Sequence, residues 1–322
     1  MKRKRRSSPA RSAMKLLCLM LGLVLTVMVG ATVYFQAQMG MLPSLEEGLS
    51  KLDWELPELS LGKTDQIGGR GRHVVNILLI GQDRREGEER ARSDSMILCT
   101  FNKKTQQVIM TSFLRDLYVT IPGHGANRIN AAYAAGGMEL LDKTLEENFG
   151  LHIDGNVEVD FDRFAEIIDL LGGVELELRQ DEADFINEET GSSLTAGWQR
   201  LAGEQALMYS RIRKLDADGD FSRTNRQRKV MSALLSAYRG SGAGTMVSLL
   251  KQVLPMLDTD LGNMKLLMLA AELAPMLGSA EIVSQHVPAP GTYTDQTIDG
   301  MAVLVPDKEA IQTMLEKTLL GE

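Results

Sequence analysis

The sequence predicts an α/β fold, an α-β-α sandwich in which a mixed central sheet carries helical layers on both faces. Two observations lead to this class. A continuous apolar run, Val74–Gly81, ends in glycine and has the composition of a strand that is buried on both faces. After it, short strand-like runs alternate with segments that repeat apolar residues every three or four positions, which indicates helices between strands. With 322 residues, 44% of them hydrophobic, the chain is long enough to fill such a core.

The first part of the predicted domain is rich in strands. Strands are expected over Met96–Phe101 and Val108–Phe113, and a shorter one between Leu117 and Pro122, since each is a short apolar or β-branched run closed by polar or turn residues.

The middle part adds the first helices. One helix is expected to begin near Asn130, to be interrupted at Gly136–Gly137 and to stop at Gly150. The next expected elements are a strand over 156–161, a helix over 162–173 and a strand over 174–178.

The last part is mostly helical by its apolar spacing. Helices are expected over 201–211, 226–240, 246–258, 264–277 and 307–320, with strands over 281–287 and 301–306. Because the linkers are short, residues 73–322 are predicted to form one domain.

The N-terminus predicts a membrane anchor. Residues 1–15 contain seven lysines and arginines and no acid, and residues 16–35 are twenty positions without a charge. Such a run, at about 1.5 Å per residue, just crosses a hydrocarbon core of roughly 30 Å. The basic tail should remain cytoplasmic, which places the remaining chain outside the cell, with residues 36–72 as a linker. The alternative is a cleaved signal peptide, although no clean Ala-x-Ala site follows the run.

Charge, cysteine content and histidine spacing reduce the number of possible function classes. The formal charge is −8, and without the seven basic residues of the tail it is −15, which argues against a nucleic-acid-binding protein. Cys18 lies in the predicted anchor and Cys99 in a predicted strand, so no disulfide is expected. The four histidines are scattered without zinc-like spacing.

Three charged clusters stand out. The first runs from Asp83 through Arg85 to Asp94, so that two carboxylates flank the link between two strands; they would suit Mg²⁺, although Asp at a strand end is also ordinary turn chemistry. The second places Arg115 and Asp116 at a strand end, with Arg128 following, and a structural ion pair is the alternative.

The third cluster is the polar link Tyr209–Gln227 between two predicted helices. Its arginines could clamp a phosphate or a carboxylate, or they could form a solvated, salt-bridged helix-loop-helix.

Taken together, the clusters resemble the LytR-CpsA-Psr proteins of Gram-positive cell envelopes. The family's blocks are matched by Asp83-Arg84-Arg85, Arg92-Ser93-Asp94-Ser95, Phe113-Leu114-Arg115-Asp116, Arg128-Ile129-Asn130-Ala131-Ala132-Tyr133, Gly136-Gly137, and the series Tyr209, Arg211, Arg213, Asp220, Arg223, Arg226 and Gln227. Phe-Leu stands where the family has Ile-Pro, and Arg128 stands where the family has lysine.

The resemblance implies an extracellular phosphotransferase in the membrane. Such a protein would move a glycopolymer, of the teichoic acid or capsular polysaccharide type, from a polyprenyl-pyrophosphate carrier to peptidoglycan through a phosphodiester. It would require Mg²⁺, with Mn²⁺ as an alternative, held by Asp83 and Asp94. The alternatives are a hydrolase of the lipid pyrophosphate and a non-catalytic regulatory or lipid-binding protein of the envelope.

The resemblance also implies roles for residues. Arg115, Arg211, Arg213 and Asp94 would be catalytic. The pyrophosphate would be bound by Arg85, Arg115, Arg128, Arg211, Arg213, Arg223 and Gln227, with support from Asp220, Arg226 and Asn130. An apolar slot for the polyprenyl tail would be lined by Phe164, Ile168, Leu171 and Leu235, with plain core packing as the alternative.

Overall fold

The structure is a computed structural model. It describes residues 73–82, 93–237, 252–262 and 279–321, together with five single positions between 265 and 276. The predicted cytoplasmic tail, membrane anchor and linker lie outside the described residues. No helix within the described part of the chain is long and apolar enough to cross a membrane.

Twelve strands and six α-helices make up the described fold. The strands are β1 (Val74–Gln82), β2 (Ser93–Asn102), β3 (Gln107–Phe113), β4 (Tyr118–Ile121), β5 (Gly125–Arg128), β6 (Gly155–Val159), β7 (Val174–Leu178), β8 (Gly197–Leu201), β9 (Asp258–Thr259), β10 (Glu281–Val287), β11 (Tyr293–Ile298) and β12 (Met301–Pro306). The helices are α1 (Asn130–Phe149), α2 (Phe161–Leu170), α3 (Gln180–Thr190), α4 (Gly203–Arg211), α5 (Asp220–Ala237) and α6 (Lys308–Leu320).

The central sheet has six strands in the order β10-β3-β2-β1-β6-β9. It is mixed: β1 runs antiparallel to β2 and parallel to β6, and β10 runs parallel to β3. Three two-stranded sheets, β4-β5, β7-β8 and β11-β12, lie outside it. The continuous apolar sequence of β1 is explained by its position, since alternate residues face opposite helical layers.

Two buried clusters occupy the two faces of this sheet. One joins Ile77 and Leu79 of β1 to α2, α4 and α5, and the other joins Leu78 and Ile80 to α1 and α6. The predicted α-β-α sandwich with a mixed central sheet is therefore confirmed.

Several boundaries differ from the sequence prediction. β2 begins at Ser93, so Asp94 lies inside the strand rather than before it. The helix predicted over 246–258 does not reach its predicted end, because Pro255 lies in a 3₁₀ turn over Leu254–Met256 and Asp258–Thr259 pairs with β6. The structure also contains α3, β5, β8 and β11, which the sequence patterns do not predict.

One edge of the sheet positions the candidate site. β1 and β3 end there and β2 begins there, since Gly81 pairs with Ser95, and Met96 with Phe113. The chain leaves β3 at Phe113 and enters Leu114-Arg115-Asp116 directly. The loop between α4 and α5 and the first turn of α5 supply the remaining charged residues of this edge.

Candidate functional site

The site is built around an ion pair between two neighbouring strands. Nη1 of Arg115 lies 2.6 Å from Oδ1 of Asp94, with about a quarter of each side chain exposed. Burial alone would lower the pKa of Arg115, but Asp94 and Asp220 more than offset it and raise the pKa. Arg115 is therefore a fixed cation at the mouth of the site.

A second pair of arginines meets these strands from α5 and the loop before it. Nη2 of Arg223 donates to the carboxylate of Asp220 at 2.9 Å and to the backbone oxygen of Asp94 at 3.0 Å. Nε of Arg213 lies 3.5 Å from the same Asp220 carboxylate. We call Asp94, Arg115, Arg213, Asp220 and Arg223 the edge cluster.

The electrostatics of the edge cluster favour an added anion. Burial and the positive charge of Arg115 both lower the pKa of Arg213. Burial raises the pKa of Asp220, and Arg115 and Arg213 only partly oppose this. Nε of Arg115 and Nε of Arg223 are buried and have no hydrogen-bond partner among the described residues. A bound phosphate would accept hydrogen bonds from these donors, and its negative charge would relieve the repulsion between the arginines.

Helical spacing aligns the α5 residues toward the edge. Asp220, Arg223 and Gln227 follow one another at three- and four-residue intervals and so share one stripe of the helix. Gln227 is buried, and its Oε1 accepts a hydrogen bond from Ser95 of β2 at 2.7 Å. This bond fixes α5 against the strand that carries Asp94.

Arg128 occupies the flank of the site. Its Nε lies 3.3 Å from Asp116, and its Nη2 donates to the backbone oxygen of Ala302 at 2.6 Å. The backbone N–H of Asn130 points to the backbone oxygen of Arg115 at 3.5 Å, so this turn supports the strand end. Asp116 lies between Arg128 and Arg115, since its carboxylate is also 3.7 Å from Nε of Arg115.

Two predicted arginines have other surroundings. Arg226 is buried and ion-paired with Glu182 at 2.8 Å and with Asp216, and it packs over the ring of Tyr209. It therefore connects α3, α4 and α5 beneath the site. Arg211 is the last residue of α4 and is partly buried.

The predicted metal ligands are only partly described. Asp83 and Arg85 lie outside the described residues, and the described part of the chain contains no group of three or more metal-binding side chains. Asp94 contributes a hard carboxylate oxygen, and its hydrogen bond to Arg115 uses Oδ1. A cation that takes most of its ligands from phosphate and water fits this donor set.

Four residues were predicted to line a lipid slot. Phe164, Ile168 and Leu235 lie in the buried core between the sheet and its helices, which is the arrangement of the core-packing alternative. Leu171, in contrast, lines a cavity of about 850 Å³. The wall of this cavity also includes Leu176, Trp198, Tyr209, Ala233 and Ser284.

A second cavity borders the edge cluster. Its volume is about 410 Å³, and it lies between the site and the β11-β12 hairpin. Asp116 and Asp220 face it, together with Asp218, Phe221 and Asp295. The carboxylates that hold the arginines therefore also line an acidic cleft.

Sequence reasoning gave Asp116 and Ser95 no role in the site. The signal for Asp116 was its position directly after Arg115 at a strand end, and the signal for Ser95 was its place beside Asp94. Neither position in the sequence shows that Asp116 lies beside two arginines or that Ser95 is hydrogen-bonded to Gln227, because both contacts depend on long-range pairing.

The comparisons with known proteins agree with this architecture. The model of the LytR_cpsA_psr family matches residues 57–319. The polyisoprenyl-teichoic acid–peptidoglycan teichoic acid transferase TagT of Bacillus subtilis is 40% identical over 172 residues, which is 51% of this chain and 53% of that protein. The regulatory protein MsrR of Staphylococcus aureus is 39% identical over 162 residues, 50% of this chain and 48% of that protein. The match thus spans about half the length of these curated relatives.

A solved structure of the family protein YwtF (TagT) with bound octaprenyl pyrophosphate lipid has a similar fold. Its TM-score is 0.58 at 27% identity, and the alignment covers 82% of this chain and all of that one.

Proposed function

This chain belongs to the LytR-CpsA-Psr family, and from that premise we propose that it is a membrane-anchored extracellular phosphotransferase. It moves a glycopolymer from a polyprenyl-pyrophosphate carrier to peptidoglycan. The observation that carries the proposal is the edge cluster, in which three arginines share two carboxylates and keep buried N–H donors without partners. A pyrophosphate is the ligand class that this surplus of donors suits.

The reaction displaces one phosphate of a pyrophosphate, so negative charge develops on both phosphates. Arg115, Arg213 and Arg223 are fixed by ion pairs before the substrate arrives, which makes their stabilisation of that charge preorganised. Mg²⁺, held by Asp94 and Asp83, would neutralise further phosphate charge when bound. The fork-shaped guanidinium groups orient the phosphates by paired N–H donors.

The lipid tail would bind beside α5, the helix that carries Arg223. The cavity of about 850 Å³ runs beside α5, and Leu171, Leu176 and Ala233 give it apolar wall. A cavity of this size is ample for a chain of isoprene units. Because α5 also carries Asp220, Arg223 and Gln227, one helix contributes to both the head-group site and the tail site.

The acceptor would approach through the acidic cleft. The cleft combines the ring of Phe221 with carboxylates that accept hydrogen bonds from sugar hydroxyls. Asp220, whose pKa burial raises, is the carboxylate there that is best suited to take a proton from an acceptor hydroxyl.

Two alternatives have the same site: a hydrolase of the lipid pyrophosphate, and a non-catalytic regulator, which the name of the relative MsrR suggests. The test incubates the full-length chain in detergent with a polyprenyl-pyrophosphate glycan, peptidoglycan oligomers and Mg²⁺, and follows products by mass spectrometry. Glycan linked to peptidoglycan, lost in Asp94→Ala and Arg211→Ala, is the expected result. Free glycan phosphate without linkage would favour the hydrolase, and lipid binding without turnover would favour the regulator.

A further inference from the structure

The loop over residues 212–219 connects α4 to α5 and carries Arg213 of the edge cluster. The side chain of Arg213 is held weakly by its own contacts. The carboxylate of Asp220 lies 3.5 Å from its Nε, while burial and the positive charge of Arg115 lower its pKa. A free loop would lower its energy by turning this charge further into water, where it is hydrated. The position of Arg213 therefore depends on what holds the loop.

Two arginines hold the carboxylate of Asp216, which follows Arg213 by three residues. Nη2 of Arg226 donates to Oδ2 of this carboxylate, and Nη1 of Arg179 donates to Oδ1 at 2.9 Å. Nη1 of Arg226 also donates to the backbone oxygen of Ile212 at 3.3 Å. The loop is therefore attached at two points, one on each side of Arg213.

Arg226 is held in turn by α3. Its Nε donates to Oε1 of Glu182 at 2.8 Å, and both side chains are almost fully buried. Oε2 of Glu182 accepts the backbone N–H of Arg179 at 3.0 Å, at the start of α3. Each guanidinium nitrogen of Arg226 thus has a protein partner, whereas Nε of Arg115 and Nε of Arg223 have none among the described residues. Arg226 therefore holds the loop and has no nitrogen left over for a phosphate.

The two bonds to Asp216 differ in their surroundings. The side chain of Arg226 is 3% exposed, and that of Arg179 is 49% exposed. Hydrogen bonds from Arg226 and Arg179 lower the pKa of Asp216, although partial burial opposes them, so the carboxylate is ionised at neutral pH. An exposed ion pair alone contributes little. The buried bond from Arg226 therefore carries most of the restraint, and Arg179 adds to it.

We propose that Asp216 is a positioning residue for the transfer reaction and acts on the substrate through Arg213. This inference rests on the proposed function. By bridging Arg179 and Arg226, Asp216 fixes the loop so that the guanidinium of Arg213 faces the edge cluster before the pyrophosphate binds. A donor that is already in place stabilises the developing charge without a further cost of ordering.

The proposal predicts that Asp216 and Arg213 act as a unit. A displacement of about 1 Å in a group that positions the substrate can cost roughly 10²-fold in rate, so Asp216→Asn should lower the transfer rate by up to about 10²-fold. In a chain that already has Arg213→Met, the same change should have almost no further effect, because the loop then carries no donor to position.

The test is a double-mutant cycle in the full-length chain in detergent, and the readout is transfer of a polyprenyl-pyrophosphate glycan to peptidoglycan oligomers. Asp216→Asn and Arg179→Gln are each made alone and together with Arg213→Met. Asp216→Glu keeps the charge and should recover part of the rate. The control is Asp184→Asn, which makes the same change of charge at an exposed position of α3, where the side chain bonds to Gln180. Thermal unfolding of each variant is recorded alongside.

We expect Asp216→Asn, and to a lesser extent Arg179→Gln, to lower the rate of the wild-type chain and to leave the rate of Arg213→Met unchanged. Asp184→Asn should leave the rate unchanged. An equal fold-loss in both backgrounds would overturn the inference, since Asp216 would then act through the fold as a whole. If Asp216→Asn does not fold, the cycle with the half-exposed Arg179 decides by the same criterion.

Failure of the proposed function is recognised separately, because the wild-type chain then forms no linked product. Binding of farnesyl diphosphate, measured by calorimetry, then replaces transfer as the readout of the cycle. A loss of affinity confined to chains that retain Arg213 supports the positioning role of Asp216, and equal losses in both backgrounds contradict it. A wild-type chain that neither transfers the glycan nor binds the diphosphate would refute both proposals.

Discussion

Arg213 carries its positive charge in surroundings that oppose it. Burial and the neighbouring Arg115 both lower its pKa. A residue retained in such surroundings serves a ligand rather than stability. We predict that Arg213→Met lowers the transfer rate by about 10²- to 10³-fold, the usual effect of removing one preorganised donor. Its Tm should stay the same or rise.

The control for Arg213→Met is Lys143→Met on the exposed face of α1, which should leave the transfer rate and the Tm unchanged. If Arg213→Met loses thermal stability in step with its activity, Arg213 is a structural residue.

Asp142 of α1 gives a prediction about pH. Burial raises its pKa to about 8, and its Oδ2 accepts a hydrogen bond from Asn156 at 2.6 Å. The folded protein therefore binds a proton that the unfolded chain, with an ordinary carboxyl pKa, has released above about pH 4. Stability should fall between about pH 5 and pH 8, by up to roughly 1.4 kcal/mol per pH unit.

The measurement for Asp142 compares the free energy of unfolding of the wild type and Asp142→Asn across this range. The variant keeps a neutral group and should lose most of the pH dependence. An equally steep decline in the variant would assign the dependence to other groups.

At the level of elements, the contact between α2 and α4 leaves no room for a side chain at the start of α4. A Cβ placed on Gly203 would lie 2.1 Å from the backbone oxygen of Ala165. Gly203→Ala should force α4 away from α2 and destabilise the protein by about 1–3 kcal/mol, as overpacking does. Since α4 ends at Arg211, activity should fall as well. Urea unfolding measures the first effect, and Gly262→Ala, which has open space, is the control.

The strands and helices differ in how far the sequence predicts them. β1, β2 and β3 were predictable because they are buried and apolar, and α1 because Gly136–Gly137 and Gly150 mark its kink and its end. Gly137 and Gly150 have positive φ angles of 67° and 68°, which glycine adopts without strain.

The missed elements have little apolar periodicity. α3 buries only Glu182, Ala183 and Ile186, and the interior positions of β11 are exposed. Their stability comes from contacts with distant elements, such as the pairing of Glu182 with Arg226 on α5. The site followed the same rule. Its arginines could be recognised by motif, but the bond between Gln227 and Ser95 depends on which strand α5 faces.

At the scale of the whole molecule, α5 lies between the charged edge of the sheet and a cavity whose wall combines apolar residues, such as Leu171 and Leu176, with charged ones, such as Glu175 and Lys229. If the lipid tail occupies that cavity, a bulky residue at Ala233 should exclude it. Displacing two methylene groups, at about 0.8 kcal/mol each, would weaken the binding of polyprenyl pyrophosphate by about tenfold. Ala233→Phe should leave the binding of inorganic pyrophosphate unchanged.

The control for Ala233→Phe is Ala126→Phe, an exposed position on β5. Calorimetry with both ligands separates the outcomes. Equal losses for lipid and inorganic pyrophosphate would show a general distortion of α5 rather than a blocked cavity.

The central claim is that one lipid occupies both sites, with its pyrophosphate at the edge cluster and its tail in the cavity beside α5. Photo-crosslinking tests it most directly: the full-length chain is irradiated with a polyprenyl diphosphate that carries a benzophenone on its tail, and the labelled peptides are identified by mass spectrometry. The account predicts labels on Leu171, Leu176 and Ala233, suppressed by unlabelled lipid and weakened in Arg213→Met. Labels confined to other surfaces, or a pattern unaffected by Arg213→Met, would contradict it.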